Sequence, residues 1–248
     1  MVDTHCHIYN EYYEDIDGVI ERAINNGVEM LIVNGCDTKT NNEVLELVKK
    51  YDIVYGALGI QPGEVDKCSD EDIKFISEHV NDDKILAVGE IGLDYHYECD
   101  KEKQKEIFKK QLSIAKKNNK PVIIHSRDSI QETYNILKEY DVKGIMHCYS
   151  GSVEMAHEFN KIGFLLGIGG ISTFKNARKL IDVIDSISLE YIVLETDSPY
   201  LAPEPYRGKK NEPSYLLEIV DKIAEIKGIS KEKVMDITTY NARRLFDK

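Results

Sequence analysis

Residues 85–95 read ILAVGEIGLDY. Apolar and small residues run without a break from Ile85 to Gly89 and then meet a carboxylate, Glu90. A short segment that is apolar at both alternating positions suits a parallel strand buried on both faces. The same character recurs at Met1–His5, Val28–Asn34, Ile53–Leu58, Pro121–His125, Gly144–Cys148, Phe164–Ile168 and Tyr191–Glu195, which with Ile85–Glu90 makes eight predicted strands. Polar segments of helical spacing separate them. Val44, Val48 and Tyr51 recur at i, i+4, i+7, as do Phe108, Leu112 and Ala115. Stretches 14–26, 69–80, 128–140, 152–160 and 175–186 also read as amphipathic helices, the second opened by Ser69 as N-cap.

Strand–helix alternation repeated eight times predicts parallel βαβ units. Closed on themselves they form a (β/α)8 TIM barrel, which takes about 250 residues. The 248 residues here are expected to make one such domain, 1–248, with extra C-terminal helices. Leu216, Val220 and Ile223 form the stripe of one of these, Gly228 stops it, and Ser230 starts the last. An open doubly wound sheet is the runner-up. It lacks support because no Gly-rich dinucleotide fingerprint follows the first strand.

The net charge of −12 excludes a protein that coats nucleic acid by bulk electrostatics, and leaves open an enzyme acting on it at one local site. The five cysteines are widely spaced without a C-x-x-C pair and read as reduced thiols. No signal peptide or membrane-length apolar run is visible, so the expected location is cytoplasmic, with no membrane association and no obligate protein partner evident.

The ionisable residues concentrate at strand ends. DTHCH at 3–7 puts His5 and His7 on one strand face. The later strands end on Glu90, His125, His147, and on Glu195 with Asp197. Catalytic groups of a barrel belong at the C-terminal rim of the strands, and a buried ionisable group needs a partner. His5, His7, Glu90, His125, His147 and Asp197 make a mixed nitrogen and oxygen donor set. It suits Zn, Mn, Co, Fe or Ni, with Mg possible. Six donors exceed what one tetrahedral zinc takes and suit two divalent ions about 3.5–4 Å apart.

DTHCH (3–7), GEIGLDY (89–95), IHSRD (124–128), HCYSG (147–151), ETDSPYLAP (195–203), RGKKNEP (207–213) and NARRLF (241–246) together resemble the TatD family of metal-dependent hydrolases. The resemblance implies a TIM-barrel, divalent-metal phosphodiesterase of the deoxyribonuclease type. It implies His5, His7 and Asp197 on one ion, His125 and His147 on the second, and Glu90 bridging both. The family's usual GxHPH after the third strand is replaced by GIQPGEV, with Gln61 and Gly63 in place of both histidines. Gln61 is then the candidate substrate contact at that place, and His96 reads as an exposed loop histidine.

The expected reaction is hydrolysis of a phosphodiester in DNA by a metal-activated water, with Asp197 and Glu90 catalytic and Asp197 as general base. Arg127 and Arg207 would bind phosphate oxygens, and Lys209 and Lys210 add a basic spot. Asp3 is expected to support the histidines, with Cys6 and Cys148 as packed thiols. The alternative is amide or ester hydrolysis, including acyl-tRNA-type esters, at the same barrel site. A non-enzymatic scaffold is disfavoured by six intact ligands.

Overall fold

The computed structural model describes residues 1–96 and 98–247. Eight strands lie in the sheet in chain order: β1 (Val2–Cys6), β2 (Met30–Asn34), β3 (Val54–Leu58), β4 (Ile85–Asp94), β5 (Val122–Arg127), β6 (Gly144–Met146), β7 (Phe164–Ile168) and β8 (Ile192–Leu194). The helices alternating with them are α1 (Ile16–Asn25), α2 (Thr38–Lys50), α3 (Asp70–His79), α4 (Lys101–Lys117), α5 (Ile130–Leu137), α6 (Val153–Lys161), α7 (Arg178–Ser186) and α8 (Leu216–Lys227), with α9 (Lys231–Phe246) added at the end. The fold is a (β/α)8 barrel.

The chain groups into two compact units: Met1–Val33, Cys148–Lys161 and Leu165–Lys248 in one, Asn34–His147 and Ile162–Phe164 in the other. In the first, β1 pairs with β2 and β7 with β8, all parallel. The segment after β8 then returns to β1. Asp197 N–H donates to the His5 carbonyl at 2.9 Å, His7 N–H donates to the Ser198 carbonyl at 2.7 Å, and Cys6 bridges Ser198. The second unit holds the parallel run β3–β4–β5–β6.

Strand residues are buried on both faces throughout β1, β2, β4, β6, β7 and β8, as continuous apolar runs demand. The helical stripes bury as their spacing predicts: Phe108, Leu112 and Ala115 on α4, Leu216, Val220 and Ile223 on α8. Tyr51 is a difference, standing past the last turn of α2 as its C-cap while Val44 and Val48 are buried. Gly228 ends α8 with φ +62, the left-handed conformation glycine tolerates best.

β4 runs four residues beyond the predicted Glu90, to Asp94. Ile91 to Asp94 continue the ladder with Ile124 to Arg127 of β5, so one strand carries both Glu90 and Asp94. β6 and β8 are shorter than predicted, stopping before His147 and Glu195.

Buried amide side chains hold the strand ends from behind. Asn41 of α2 both donates to and accepts from the Gly59 backbone, at 2.9 and 3.0 Å. Gln111 of α4 does the same to Ile60 at 3.0 and 2.8 Å, and Gln104 to Asp94 at 2.9 and 2.9 Å. Gln104→Leu would leave both backbone groups of Asp94 without that partner. A loss of about 2 kcal/mol is expected, measured by urea unfolding; an unchanged midpoint would refute the role.

Ser69 caps α3 as predicted, in a reciprocal box with Asp72. Burial tends to raise the Asp72 carboxyl, but hydrogen bonds from Thr38 and Ser69 prevail and hold it below its ordinary value. A depressed carboxyl stabilises above its unfolded pKa, and that contribution is lost as pH falls through the folded one. Ser69→Ala is expected to cost about 1 kcal/mol, and protection factors of amides at the start of α3, corrected for the intrinsic exchange rate, should fall in wild type as pH falls through the acid range. Equal protection in Ser69→Ala would count against the cap.

Candidate metal centre

The first unit assembles one donor set at the ends of β1 and β8. His5 is the fourth residue of β1 and His7 lies just past it, both buried. Alternation turns their rings to one side and Cys6 to the other, where its thiol donates to the Ile32 carbonyl at 3.4 Å. The two Nε2 atoms stand 3.0 Å apart. Asp197 Oδ1 is 3.8 Å from the first and 3.6 Å from the second, beyond hydrogen-bonding distance of either. Donors sharing an ion at about 2.1 Å stand about 3.0 Å apart at right angles and about 3.6 Å apart at 120°. The spacing of this triad fits a shared cation. The Tyr9 hydroxyl lies 3.3 Å from His7 Nδ1, the ring nitrogen opposite this set.

Asp3 supports this set through the backbone. It accepts the N–H of His5 at 3.2 Å and of Thr196 at 3.0 Å, and the Thr196 hydroxyl at 2.6 Å. Complete burial pushes its carboxyl up to about 7, against the hydrogen bonds from Thr196 and His5 that favour the anion. Glu195 accepts the Cys148 N–H at 2.7 Å.

The second unit assembles the other set at the ends of β4, β5 and β6. Glu90, His125 and His147 offer ligand atoms within 4.8 Å of one another. Glu90 Oε1 is 2.8 Å from His125 Nδ1 and 4.0 Å from His147 Nε2. The opposite nitrogen of His125 meets Asp94 Oδ2 at 2.8 Å. A carboxylate on the far ring nitrogen is the usual device for fixing a liganding histidine. Burial lowers the His125 pKa, but its two carboxylate partners prevail and the ring is pushed up to about 10. Burial likewise raises Asp94, while the His125 hydrogen bond overrides it and holds Asp94 below the usual carboxylate value.

Asp94 was missed as a functional residue. It lies two strand periods beyond Glu90, on a stretch that the sequence reading leaves outside the strand. Cys36 also stands beside this set. Its thiol lies 3.9 Å from Glu90 Oε2, on a loop fixed by Thr40 at its N–H and by the Gln61 N–H at its carbonyl.

The expected phosphate contacts are spread more widely. Arg127 ends β5 and is exposed. Gln61 is half-buried and precedes a short 3-10 turn, Pro62–Lys67. Arg207 is exposed, with its guanidinium 4.4 Å over the Phe174 ring. His96 is an exposed loop histidine 3.8 Å from Asp128, and its N–H donates to Asp94. Tyr95 donates its hydroxyl to Glu132 at 2.5 Å. His157 is exposed, and His79 pairs with Asp82 at 2.7 Å. All five cysteines are free thiols. Among the described residues no helix is long and apolar enough to cross a membrane.

Comparison with known proteins adds four findings. The family model described as TatD related DNase matches residues 2–247. The chain is 43% identical over 251 residues to the uncharacterized metal-dependent hydrolase YabD of Bacillus subtilis (strain 168), covering 99% of this chain and 98% of that one. It is 34% identical over 255 residues to the uncharacterized metal-dependent hydrolase YcfH of Escherichia coli (strain K12), covering 99% and 95%. Among solved structures it is similar to YjjV, a TatD homolog from Escherichia coli K12, at 31% identity and a TM-score of 0.95, covering 100% of this chain and 98% of that one.

Proposed function

The chain belongs to the TatD family of metal-dependent hydrolases, and on that premise we propose that it is a phosphodiesterase acting on DNA through two divalent ions. The observation that carries this reading is the pair of donor triads, His5–His7–Asp197 and Glu90–His125–His147, each at the C-terminal ends of its strands. That is the end of a barrel where catalytic groups are placed. Residues 1–248 act as one domain in this reading.

His5, His7 and Asp197 would hold one ion, and Glu90, His125 and His147 the other. Bound there, the ions supply Lewis acidity toward a phosphoryl oxygen and toward the attacking water. The chain's own part follows from its side chains. Asp197 accepts the proton of the attacking water as general base. Its backbone is anchored to His5, so this carboxylate and the first two ligands keep one geometry. Asp94 orients the His125 ring and keeps Nδ1 on the Glu90 side. Arg127 and Arg207 donate to phosphate oxygens, and Gln61 contributes an amide where relatives are expected to place a histidine.

The test is an activity panel on protein loaded with Mn, Mg, Co or Zn. Single-stranded DNA and a p-nitrophenyl phosphodiester are expected to be cleaved in the presence of metal and not in its absence. Cleavage of amides or carboxylic esters with none of phosphodiesters would overturn the nuclease reading. Elemental analysis should return two ions per chain, and full activity with one would remove the two-metal assignment.

A further inference from the structure

A group of tyrosines and cations flanks His7, and neither the metal ligands nor the general base uses it. Tyr200, in the loop after β8, is 48% exposed, and its ring centroid is 6.3 Å from that of His7. Tyr12, in the loop after β1, meets it hydroxyl to hydroxyl at 2.7 Å, with the rings 5.7 Å apart at 72°. Lys210 holds this arrangement from below. Its ammonium bonds the Tyr12 carbonyl and lies 5.3 Å from the Tyr13 ring centroid.

The neighbouring Tyr9 and Tyr13 are buried, whereas Tyr200 is not. The half-exposed Tyr200 ring beside His7 offers a planar, apolar surface to a ligand at the candidate metal centre. The loop that braces it carries Arg207, Lys209 and Lys210, a local cationic stretch in a chain of net charge −12. Aromatic faces alternating with cations are how proteins hold single-stranded nucleic acid, the rings stacking on bases and the cations following the phosphates.

Resting on the phosphodiesterase reading above, we propose that the Tyr12–Tyr200 pair, braced by Lys210, is a stacking platform for the nucleobase next to the scissile phosphate, with Lys209 meeting a phosphate beyond it. The hydroxyl–hydroxyl bond fixes the Tyr200 ring in advance, so little side-chain freedom is lost on binding. A base inside a duplex already has neighbours on both faces. The platform therefore favours a single strand over a duplex.

The experiment uses metal-loaded protein and phosphorothioate-linked hexanucleotides with 2-aminopurine placed at each position in turn. In wild type, fluorescence should be quenched at one position and not along the whole strand. Tyr200→Ala should lose that quench and raise KM for single-stranded DNA about 5- to 100-fold, the range of base–aromatic stacking, with kcat moving much less. Tyr200→Phe and Tyr200→Trp should keep the quench and most of the affinity, which a purely structural role would not predict for tryptophan. Wild-type KM and quench in a folded Tyr200→Ala would overturn the platform, as would cleavage of DNA by wild type without any positional quench. Positional quenching without phosphodiester cleavage under any metal would overturn the phosphodiesterase reading and support the platform.

Discussion

Glu90→Gln is expected to lower metal-dependent turnover at least about a thousandfold while leaving the fold intact. The substitution keeps the shape of a side chain that is only 3% exposed. It removes the negative charge that faces His125 Nδ1 at 2.8 Å and His147 Nε2 at 4.0 Å. Losing about 4 kcal/mol of the several that metal polarisation supplies corresponds to about three powers of ten in rate. Glu90 is one of the two carboxylates that favour the charged His125 ring, so removing it breaks a buried pair and the melting temperature of the metal-free protein should fall. Asp94→Asn gives the graded control. It reaches the donor set through His125, and about a 10- to 100-fold loss in metal affinity or activity is expected. The checks are steady-state kinetics on a phosphodiester and metal content after dialysis. Wild-type turnover in Glu90→Gln would remove Glu90 from the centre.

Gly92→Ala is expected to destabilise by about 4 kcal/mol, or to prevent folding. Gly92 pairs with His125 across β4 and β5 and has φ +148, a backbone conformation that side chains rarely adopt. An added Cβ would stand 1.9 Å from the His125 carbonyl oxygen, against backbone that has nowhere to move within the ladder. The backbone strain and the broken strand pairing add. At about 2–4 °C per kcal/mol for a chain of this size, the melting temperature should fall by about 10 °C. Gly169→Ala is the matched control. Its Cβ would meet its nearest atom at 3.5 Å, ordinary contact, and the melting temperature should move little. Equal melting of the two variants would show that the register at Gly92 yields more easily than the geometry implies.

The barrel was legible because burial on both faces leaves a parallel strand only one kind of pattern, and eight such runs carry it. The ligands were legible for the complementary reason. An imidazole or carboxylate that closes an apolar run, as His125 and Glu90 do, stands out against what precedes it. Asp94 was hidden by the assumption that a strand stops at its first charge. Whether β4 continues depends on Gly92 letting it pass His125, and that is a backbone property. Gln104, Gln111 and Asn41 were hidden differently. They sit on helices where polar side chains imply solvent, yet all three are fully buried. Their partners are peptide groups, which no side-chain pattern encodes. The tie from Asp3 to Thr196 spans nearly the whole chain, beyond the reach of any local reading.

Those buried amides bear on how the protein could be redesigned. Gly59, Ile60 and Asp94 are gripped from the helix side, by α2 and α4, at the places where the chain leaves β3 and β4. The frame that carries Glu90 is thus fastened independently of the loops that follow those strands. Loop sequence becomes a replaceable fitting. Residues 61–68 can be exchanged for segments from relatives to alter which substrate is admitted, provided Asn41, Gln104 and Gln111 are retained as the fixed mounts and Ser69 as the cap of α3.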